Sequence, residues 1–235
     1  MKVISHSACK MVLAALTAAM MLTSVSASAQ TLDVKNTPAQ TASSAEQKFE
    51  QGIAAYKRQD YATALKIFSE LANQGYADAQ NNLGFMYENG QGVAKDYRQA
   101  LLWYQKAVSQ EHIDAQYNLG FMYANGLGVA QDYRQALLWY QKAASQGHID
   151  AQYNLGFMYA NGLGVAQDYR QALLWYQKAA NQGYAVAQQN LGLMYADGLG
   201  VAQDFKQARF WFEKAAAQGN VKAKAVLQQL NQMGK

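Results

Sequence analysis

The feature that most constrains this chain is a repeat with a period of 36 residues. Residues 112–144 recur without change as residues 148–180. A fixed period of this length is typical of a solenoid, in which each unit buries its apolar face only against its neighbours. All four tryptophans keep the period: Trp103, Trp139, Trp175 and Trp211. We therefore expect an array of stacked units and not a single globular core.

Each period is predicted to contain two helices, called helix A and helix B below. In helix A, apolar side chains recur at the spacing of one helical face, and Gly90 predicts the helix end because glycine readily adopts the left-handed conformation. Asp96 predicts the N-cap of helix B, and Gln99, three residues later, completes a capping-box pattern. The apolar face of helix B comprises Tyr97, Ala100, Leu101, Tyr104 and Val108.

The elements that recur are the LG and MY pairs of helix A, the GxGV loop, the capping aspartate, and the tryptophan and KA pair of helix B. They resemble the Sel1-like repeat, a subclass of tetratricopeptide-type helical hairpins, which implies an all-α, right-handed α-solenoid. The corresponding units are 77–112, 113–148, 149–184 and 185–220. Residues 45–76 lack the GxGV insertion and look more like an ordinary tetratricopeptide unit. Residues 221–235 are predicted to form a helix that caps the array.

The N-terminus carries the pattern of an export signal. Two lysines precede an apolar run at 11–22, and small residues lead to Ala29. The apolar run is about half of the roughly 20 residues that a membrane span requires. We predict a signal peptide at 1–29 that is cleaved before Gln30, followed by a flexible leader at 30–44. The mature chain would have no membrane span and would lie in the bacterial periplasm or be secreted.

Cleavage would change the composition that bears on function. The formal charge would fall from +4 to +2, because Lys2 and Lys10 leave and no acidic residue does. The remaining cations are scattered among acids, which disfavours nucleic acid as a partner because nucleic acid requires a clustered basic face. The only cysteine, Cys9, would also be removed. Disulfides and thiol chemistry are therefore not expected in the mature chain.

No pattern in the chain indicates catalysis, a cofactor or a metal. The GxGV loops lack the lysine and hydroxyl of a phosphate-binding loop, so they are interpreted as turns. His112 and His148 take the same place in adjacent units without cysteines or a carboxylate cluster, which argues against a metal site. No serine pairs with them as a nucleophile. The tryptophans lie beside small alanines, which favours core packing over ligand stacking.

The face of helix A opposite Leu83 is the predicted partner-binding surface. The resemblance implies that this face lines the concave groove of the array, where aromatic rings flanked by asparagines would hold an extended or helical peptide. The alternative is that these aromatics only pack between neighbouring A helices. The set comprises Asp78, Asn81, Phe85 and Asn89, then Asp114, Tyr117, Phe121 and Asn125, then Asp150, Tyr153, Phe157 and Asn161, and in the last unit Val186, Gln189, Leu193 and Asp197.

The predicted function is that of a monomeric scaffold for a protein or peptide, and two alternatives stay open. Cell-wall glycan binding would keep the aromatic groove and change the ligand. Some exported, cysteine-rich Sel1-repeat proteins are described as penicillin-binding or penicillin-hydrolysing, but this chain lacks their paired cysteines and has no serine-x-x-lysine in a suitable setting. A second apolar row lies toward the polar side of helix B and is a further candidate contact: Leu102, Leu138, Leu174 and Phe210.

Overall fold

The structure is a computed structural model that describes residues 44–232. Within that range the chain forms eleven α-helices and no strands. The predicted signal peptide, and the predicted leader apart from Ser44, lie outside the described residues. The helices are α1 Ser44–Lys57, α2 Tyr61–Asn73, α3 Ala77–Asn89, α4 Tyr97–Val108, α5 Ile113–Asn125, α6 Tyr133–Ser145, α7 Ile149–Asn161, α8 Tyr169–Asn181, α9 Ala185–Asp197, α10 Phe205–Ala217 and α11 Val221–Gln232.

The helices stack in sequence order as hairpins. The odd-numbered helices α1 to α9 are the A helices, and the even-numbered helices α2 to α10 are the B helices. Each A helix packs against the B helix of its own unit, and each B helix packs against the A helix that follows it. The last helix, α11, packs against α10 in the place of a further A helix. The predicted fold class, an all-α, right-handed α-solenoid of helix-turn-helix repeats, is confirmed.

A glycine in each A helix allows the B helix of the same unit to approach closely. A Cβ atom at Gly84 would lie 2.8 Å from the ring of Tyr104, which is fully buried. Gly120 meets Tyr140 and Gly192 meets Phe212 in the same way. The ring therefore fills the space that a side chain on helix A would take. This contact accounts for a glycine in mid-helix despite its low helix propensity.

The helix ends are formed by the predicted residues, with one correction. Gly90 ends α3 in the left-handed conformation, and the Asp96 carboxylate accepts hydrogen bonds from the backbone N–H groups of Arg98 and Gln99. The reciprocal half of the capping box is absent, so that prediction was wrong. The backbone N–H of Asp96 donates instead to the carbonyl of Tyr87 at 2.9 Å, which ties the loop back to helix A.

The repeated tryptophans pack across unit boundaries. Trp103 of α4 lies against the buried cluster that contains Phe68 and Leu71 of α2, and Trp211 is itself buried. The Nζ atom of Lys106 lies 3.7 Å from the ring centroid of Trp103, so a cation covers the outer side of the ring. Core packing, the interpretation favoured by the sequence, therefore describes these residues.

Candidate partner-binding face

The aspartates of the predicted groove hold the unit that follows them. The Nε2 atom of His112 lies 3.0 Å from a carboxylate oxygen of Asp78, while Nδ1 accepts the backbone N–H of Ala115. The two contacts are compatible with a neutral ring that carries its proton on Nε2. His148 caps α7 in the same manner and lies 3.4 Å from Asp114. Each histidine is therefore both an N-cap and a link between units.

At the next junction a tyrosine takes the place of the histidine. Burial raises the pKa of Tyr184 well above its usual range, and the nearby Asp150 carboxylate, with which its hydroxyl forms a hydrogen bond, raises the pKa further. The Tyr184 ring also lies 5.3 Å from that of Tyr153, measured between centroids. The aspartates at this position thus have a structural role along the array.

The next predicted position is also engaged in the junctions. The side-chain oxygen of Asn81 accepts a hydrogen bond from Asn118 of the following unit, at 3.0 Å. Tyr117 stacks on His148 with ring centroids 4.5 Å apart, and its hydroxyl is hydrogen-bonded to Asn154. Burial raises the pKa of Tyr117 well above its usual range. This position is Asn81 in one unit and Tyr117 in the next. Its hydrogen-bonding partner on the following A helix is an asparagine in both cases.

Tyr153 repeats the arrangement one unit later. Its ring lies 5.7 Å from that of Tyr176, and Asn190 of the following unit is hydrogen-bonded to its hydroxyl. Burial raises the pKa of Tyr153 to about 12. Both Tyr117 and Tyr153 nevertheless remain partly accessible at the surface. Both tyrosines are therefore packed and hydrogen-bonded within the array while each residue keeps part of its surface accessible.

The phenylalanines form the central row of this face. Phe85, Phe121 and Phe157 are half-buried on three consecutive A helices. Phe121 packs against the buried cluster around Tyr140 and Leu155, so it bridges two units. The sequence-based alternative, in which the rings pack between neighbouring A helices, is thus part of the structure. The exposed portions of the rings still form a row along the array.

The asparagines at the ends of the A helices flank that row. The Asn125 amide donates to the carbonyl of Phe121 at 2.8 Å. Asn161 donates to the carbonyl of Phe157 at 2.8 Å. Asn89 makes the same bond to Phe85 and is exposed. These bonds fix the orientation of each amide and direct it beside the aromatic row.

The last unit does not extend the predicted face. Gln189 and Leu193 retain only 3% and 4% of their accessible surface. Leu193 lies in one buried cluster with Ala223 and Leu230 of α11. Their assignment as partner-binding residues is therefore corrected: the C-terminal helix covers this end of the face. Asp197 and Val186 of the same unit remain partly accessible.

A ladder of glutamines was missed by the sequence analysis. The Gln110 amide donates to Gln80 at 2.9 Å, and the Gln80 amide donates to the carbonyl of Ala72 in the preceding unit. The glutamine pair recurs in the next three units, which a search for polar residues at the repeat period would have revealed. The other pairs are Gln146 with Gln116, Gln182 with Gln152, and Gln218 with Gln188.

The described residues contain neither a cluster of metal-ligating side chains nor a membrane-spanning helix. Among residues 44–232 no group of three or more histidine, cysteine, aspartate or glutamate side chains is placed to hold a metal ion. No helix in that range is long and apolar enough to span a bilayer.

Comparison with known proteins identifies the repeat. The model of the Sel1 repeat matches residues 49–76, 77–112, 113–148, 149–184 and 185–220. The first match, at residues 49–76, is the unit that lacks the GxGV loop. That unit is therefore also a Sel1 repeat of the same array. The comparison with curated proteins gave no match.

Two solved structures are similar to most of the chain. A Sel1 repeat protein from Oxalobacter formigenes is 37% identical with a TM-score of 0.75, over 80% of this chain and 76% of that one. A protective antigen of uropathogenic Escherichia coli displaying an SLR fold is 35% identical with a TM-score of 0.77, over 81% of this chain. The match spans only 42% of the length of that antigen.

A more distant similarity extends to an immunity protein from Pseudomonas aeruginosa, with 26% identity and a TM-score of 0.52, over 80% of this chain and 70% of that one. The Sel1 repeat fold typically serves as a scaffold for protein–protein interaction. Five matched repeats cover well over half of the sequence, and their junctions have the contacts described above. The chain therefore belongs to the Sel1 repeat family.

Proposed function

We propose that this protein is an exported scaffold that binds a protein or peptide segment on its A face. The A face is defined by the half-buried rings Phe85, Tyr117, Phe121, Tyr153 and Phe157 and the flanking Asn89, Asn125 and Asn161. The observation that carries the proposal is the row of partly exposed aromatic rings, each fixed by contacts to a neighbouring unit. Rings that are already ordered lose little conformational entropy when a partner binds.

The same geometry indicates which kind of segment the A face would bind. Asp78, Asp114 and Asp150 are engaged in the junctions, so they contribute little to recognition of a basic partner. The groups of the A face that remain for recognition of a partner are aromatic rings and side-chain amides. A segment with apolar anchors and free backbone hydrogen-bonding groups, extended or helical, suits this combination.

The test of the A face begins with the partner, which is to be recovered by crosslinking and pull-down and then purified. Changing Tyr117, Phe121, Tyr153 and Phe157 together to alanine removes the centre of the face. Because binding energy concentrates in a few central aromatic residues, affinity should fall by at least about 2 kcal/mol, roughly thirtyfold. Isothermal titration calorimetry measures the change.

The controls separate loss of binding from loss of folding. Circular dichroism must show that the quadruple variant keeps its helix content, since Tyr117 and Tyr153 also pack at junctions. The double variant Tyr117→Phe and Tyr153→Phe keeps both rings and should retain binding. Gln135 and Gln171 are exposed on the B helices, so changing both to alanine should leave the affinity for the partner unchanged. Wild-type affinity in a folded quadruple variant would exclude the A face.

Two further measurements address the remaining parts of the proposal. Export predicts Gln30 as the mature N-terminus, which N-terminal sequencing of the secreted or periplasmic fraction reads directly. An intact Met1 in that fraction contradicts export by this route.

The class of ligand is tested by sedimentation with purified cell-wall glycan. Comparison with the pull-down of protein partners decides between glycan and protein as the ligand.

A further inference from the structure

The B helices carry a row of exposed apolar side chains that the fold does not use. In the described region, six large apolar residues are exposed, and four of them occupy the same place in successive units. These are Leu102, Leu138, Leu174 and Phe210, with 50%, 43%, 45% and 44% of their surface accessible. The other two, Ile113 and Val221, are the first residues of their helices. The row is thus a repeated feature and not scattered exposure.

Cations border this row on both sides. Arg98 and Lys106 lie one helical turn before and after Leu102, and the same spacing recurs in each unit. In the described part of the chain, none of these eight cations is paired with a carboxylate. We call the row and its borders the B stripe. Its cations are Arg98, Arg134, Arg170, Lys206, Lys106, Lys142, Lys178 and Lys214, all exposed.

Three lysines of the B stripe lie over the rings of the repeated tryptophans. The Nζ atoms of Lys106, Lys142 and Lys178 lie 3.7 to 4.1 Å from the ring centroids of the tryptophans three residues earlier. Each ammonium group therefore lies over the face of a tryptophan ring in a cation–π contact, so charge and apolar surface are adjacent. Carboxylates are fewer than cations here: Glu213 is the only one within the four B helices α4, α6, α8 and α10, and the N-cap aspartate of each helix accepts hydrogen bonds from the backbone at the helix start.

We propose that the B stripe binds the surface of an anionic lipid bilayer. Leucine, phenylalanine and tryptophan beside lysine and arginine is the composition of protein surfaces that lie in the bilayer interface. The stripe presents the same residue classes in each unit, an apolar side chain between two cations, which suits a laterally uniform ligand. The cations would contact lipid phosphates while the apolar row enters the headgroup boundary.

The test uses the chain from Gln30 onward, which omits the apolar segment at 11–22 and keeps all eleven described helices. Circular dichroism confirms that it is helical. Its binding to vesicles of phosphatidylglycerol mixed with phosphatidylcholine is compared, by co-sedimentation, with binding to phosphatidylcholine alone. We expect binding only to the anionic vesicles, and release as salt is added because screening shortens the range of the attraction.

Two variants test the two parts of the stripe separately. Changing Leu102, Leu138, Leu174 and Phe210 to serine should reduce partitioning at least about tenfold through the lost apolar contacts. Changing Arg98, Arg134 and Arg170 to glutamine should reduce it by about tenfold or more through the lost charge. All substituted side chains are exposed, so the helix content should be kept. The matched control changes Ile113 and Val221 to serine and should bind as the wild type does.

Several results would overturn the proposal. Absence of binding to anionic vesicles at low salt excludes the lipid surface, and it would redirect attention to an acidic protein partner for the same stripe. Equal binding to neutral vesicles excludes the role of the cations. Undiminished binding by either folded stripe variant places the contact elsewhere. The A-face residues are untouched in every variant, so failure here leaves the peptide-binding proposal standing.

Discussion

At the scale of single residues, Glu88 is the clearest departure from the unit pattern. The equivalent residues in the next units are Ala124, Ala160 and Ala196, whereas Glu88 places a carboxyl group against the buried ring of Tyr104. The Tyr104 hydroxyl donates to it at 2.7 Å. Burial raises the pKa of Glu88, and the hydrogen bond from Tyr104 only partly opposes that effect. The carboxyl is thus poorly solvated in its ionised form.

This raised pKa predicts a pH-dependent stability. A carboxyl group with a higher pKa in the folded state binds its proton more tightly there. The free energy of unfolding therefore falls as the pH rises from the ordinary value of 4.5 through the raised folded value, and then levels off. Glu88→Gln keeps an oxygen that accepts the Tyr104 hydroxyl and carries no charge. It should be more stable than the wild type at neutral pH.

Urea denaturation at about pH 4 and about pH 7 measures the effect. The gain in midpoint of Glu88→Gln over the wild type should be larger at the higher pH. Glu50→Gln, at an exposed site on α1, is the control and should follow the wild type at both values. An advantage of Glu88→Gln that does not change with pH would contradict the proposed burial of the charge.

At the scale of the elements, the loop between helix A and helix B determines how units stack. The second glycine of each GxGV loop has a positive φ and lies against the start of the preceding B helix. A Cβ atom at Gly128 would lie 2.4 Å from the carbonyl oxygen of Tyr97. In the first unit only a short turn joins the two helices. Among the described residues, no B helix precedes this unit, so a longer loop would have no B helix to pack against.

This contact predicts that Gly128→Ala is costly. The new methyl group collides with backbone, and alanine also adopts a positive φ poorly, so the free energy of unfolding should fall by about 2 kcal/mol or more. Gly147→Ala is the matched control, because Gly147 also has a positive φ but no atom lies within 4 Å of its Cβ position. Its cost should be about 1 kcal/mol from the backbone alone. Equal losses in urea denaturation would contradict a steric role for Gly128.

The elements were largely predictable from the sequence, and the junction contacts were not. Gly90 and Asp96 act locally on the backbone, so their residue types were enough to place the helix ends. The capping box failed at Gln99 because the backbone N–H of Asp96 is taken by the carbonyl of Tyr87. The junction role of Asp78 depends on His112, the N-cap of the next A helix, at a distance that the sequence pattern of one helix does not reveal.

At the scale of the whole molecule, the C-terminal helix closes the array. It buries Ala223 and Leu230 against Leu193 and Phe212, side chains of the last hairpin. The same cover explains why the predicted face ends before Leu193. An A helix in this position was foreseeable from the pattern of 221–232, but the extent to which it covers the preceding A helix was not.

Removal of residues 221–235 should therefore loosen the end of the array first. In a solenoid each unit contacts only its neighbours, so the loss of cover acts mainly on α9 and α10. Amide hydrogen exchange followed by mass spectrometry should show faster exchange there, while α3 and α4 keep wild-type rates. Equal acceleration in all units would show that the array unfolds as one cooperative body. Unchanged exchange throughout would contradict the capping role.

The sameness of the junctions has a consequence for how this molecule can change in length. Removal of residues 113–148 would join His112 to Ile149, bring Asn154 opposite Asn81, and set Gly164 against Tyr97. The equivalent pairings already exist between residues 77–112 and 113–148, because the two middle units agree in sequence. Deletion of one whole unit therefore creates no new kind of interface. A deletion shorter or longer by one residue would rotate the face of helix A, so its side chains would no longer meet their partners. The array can therefore lengthen or shorten by whole units, and its A face and B stripe would change in length by the same steps.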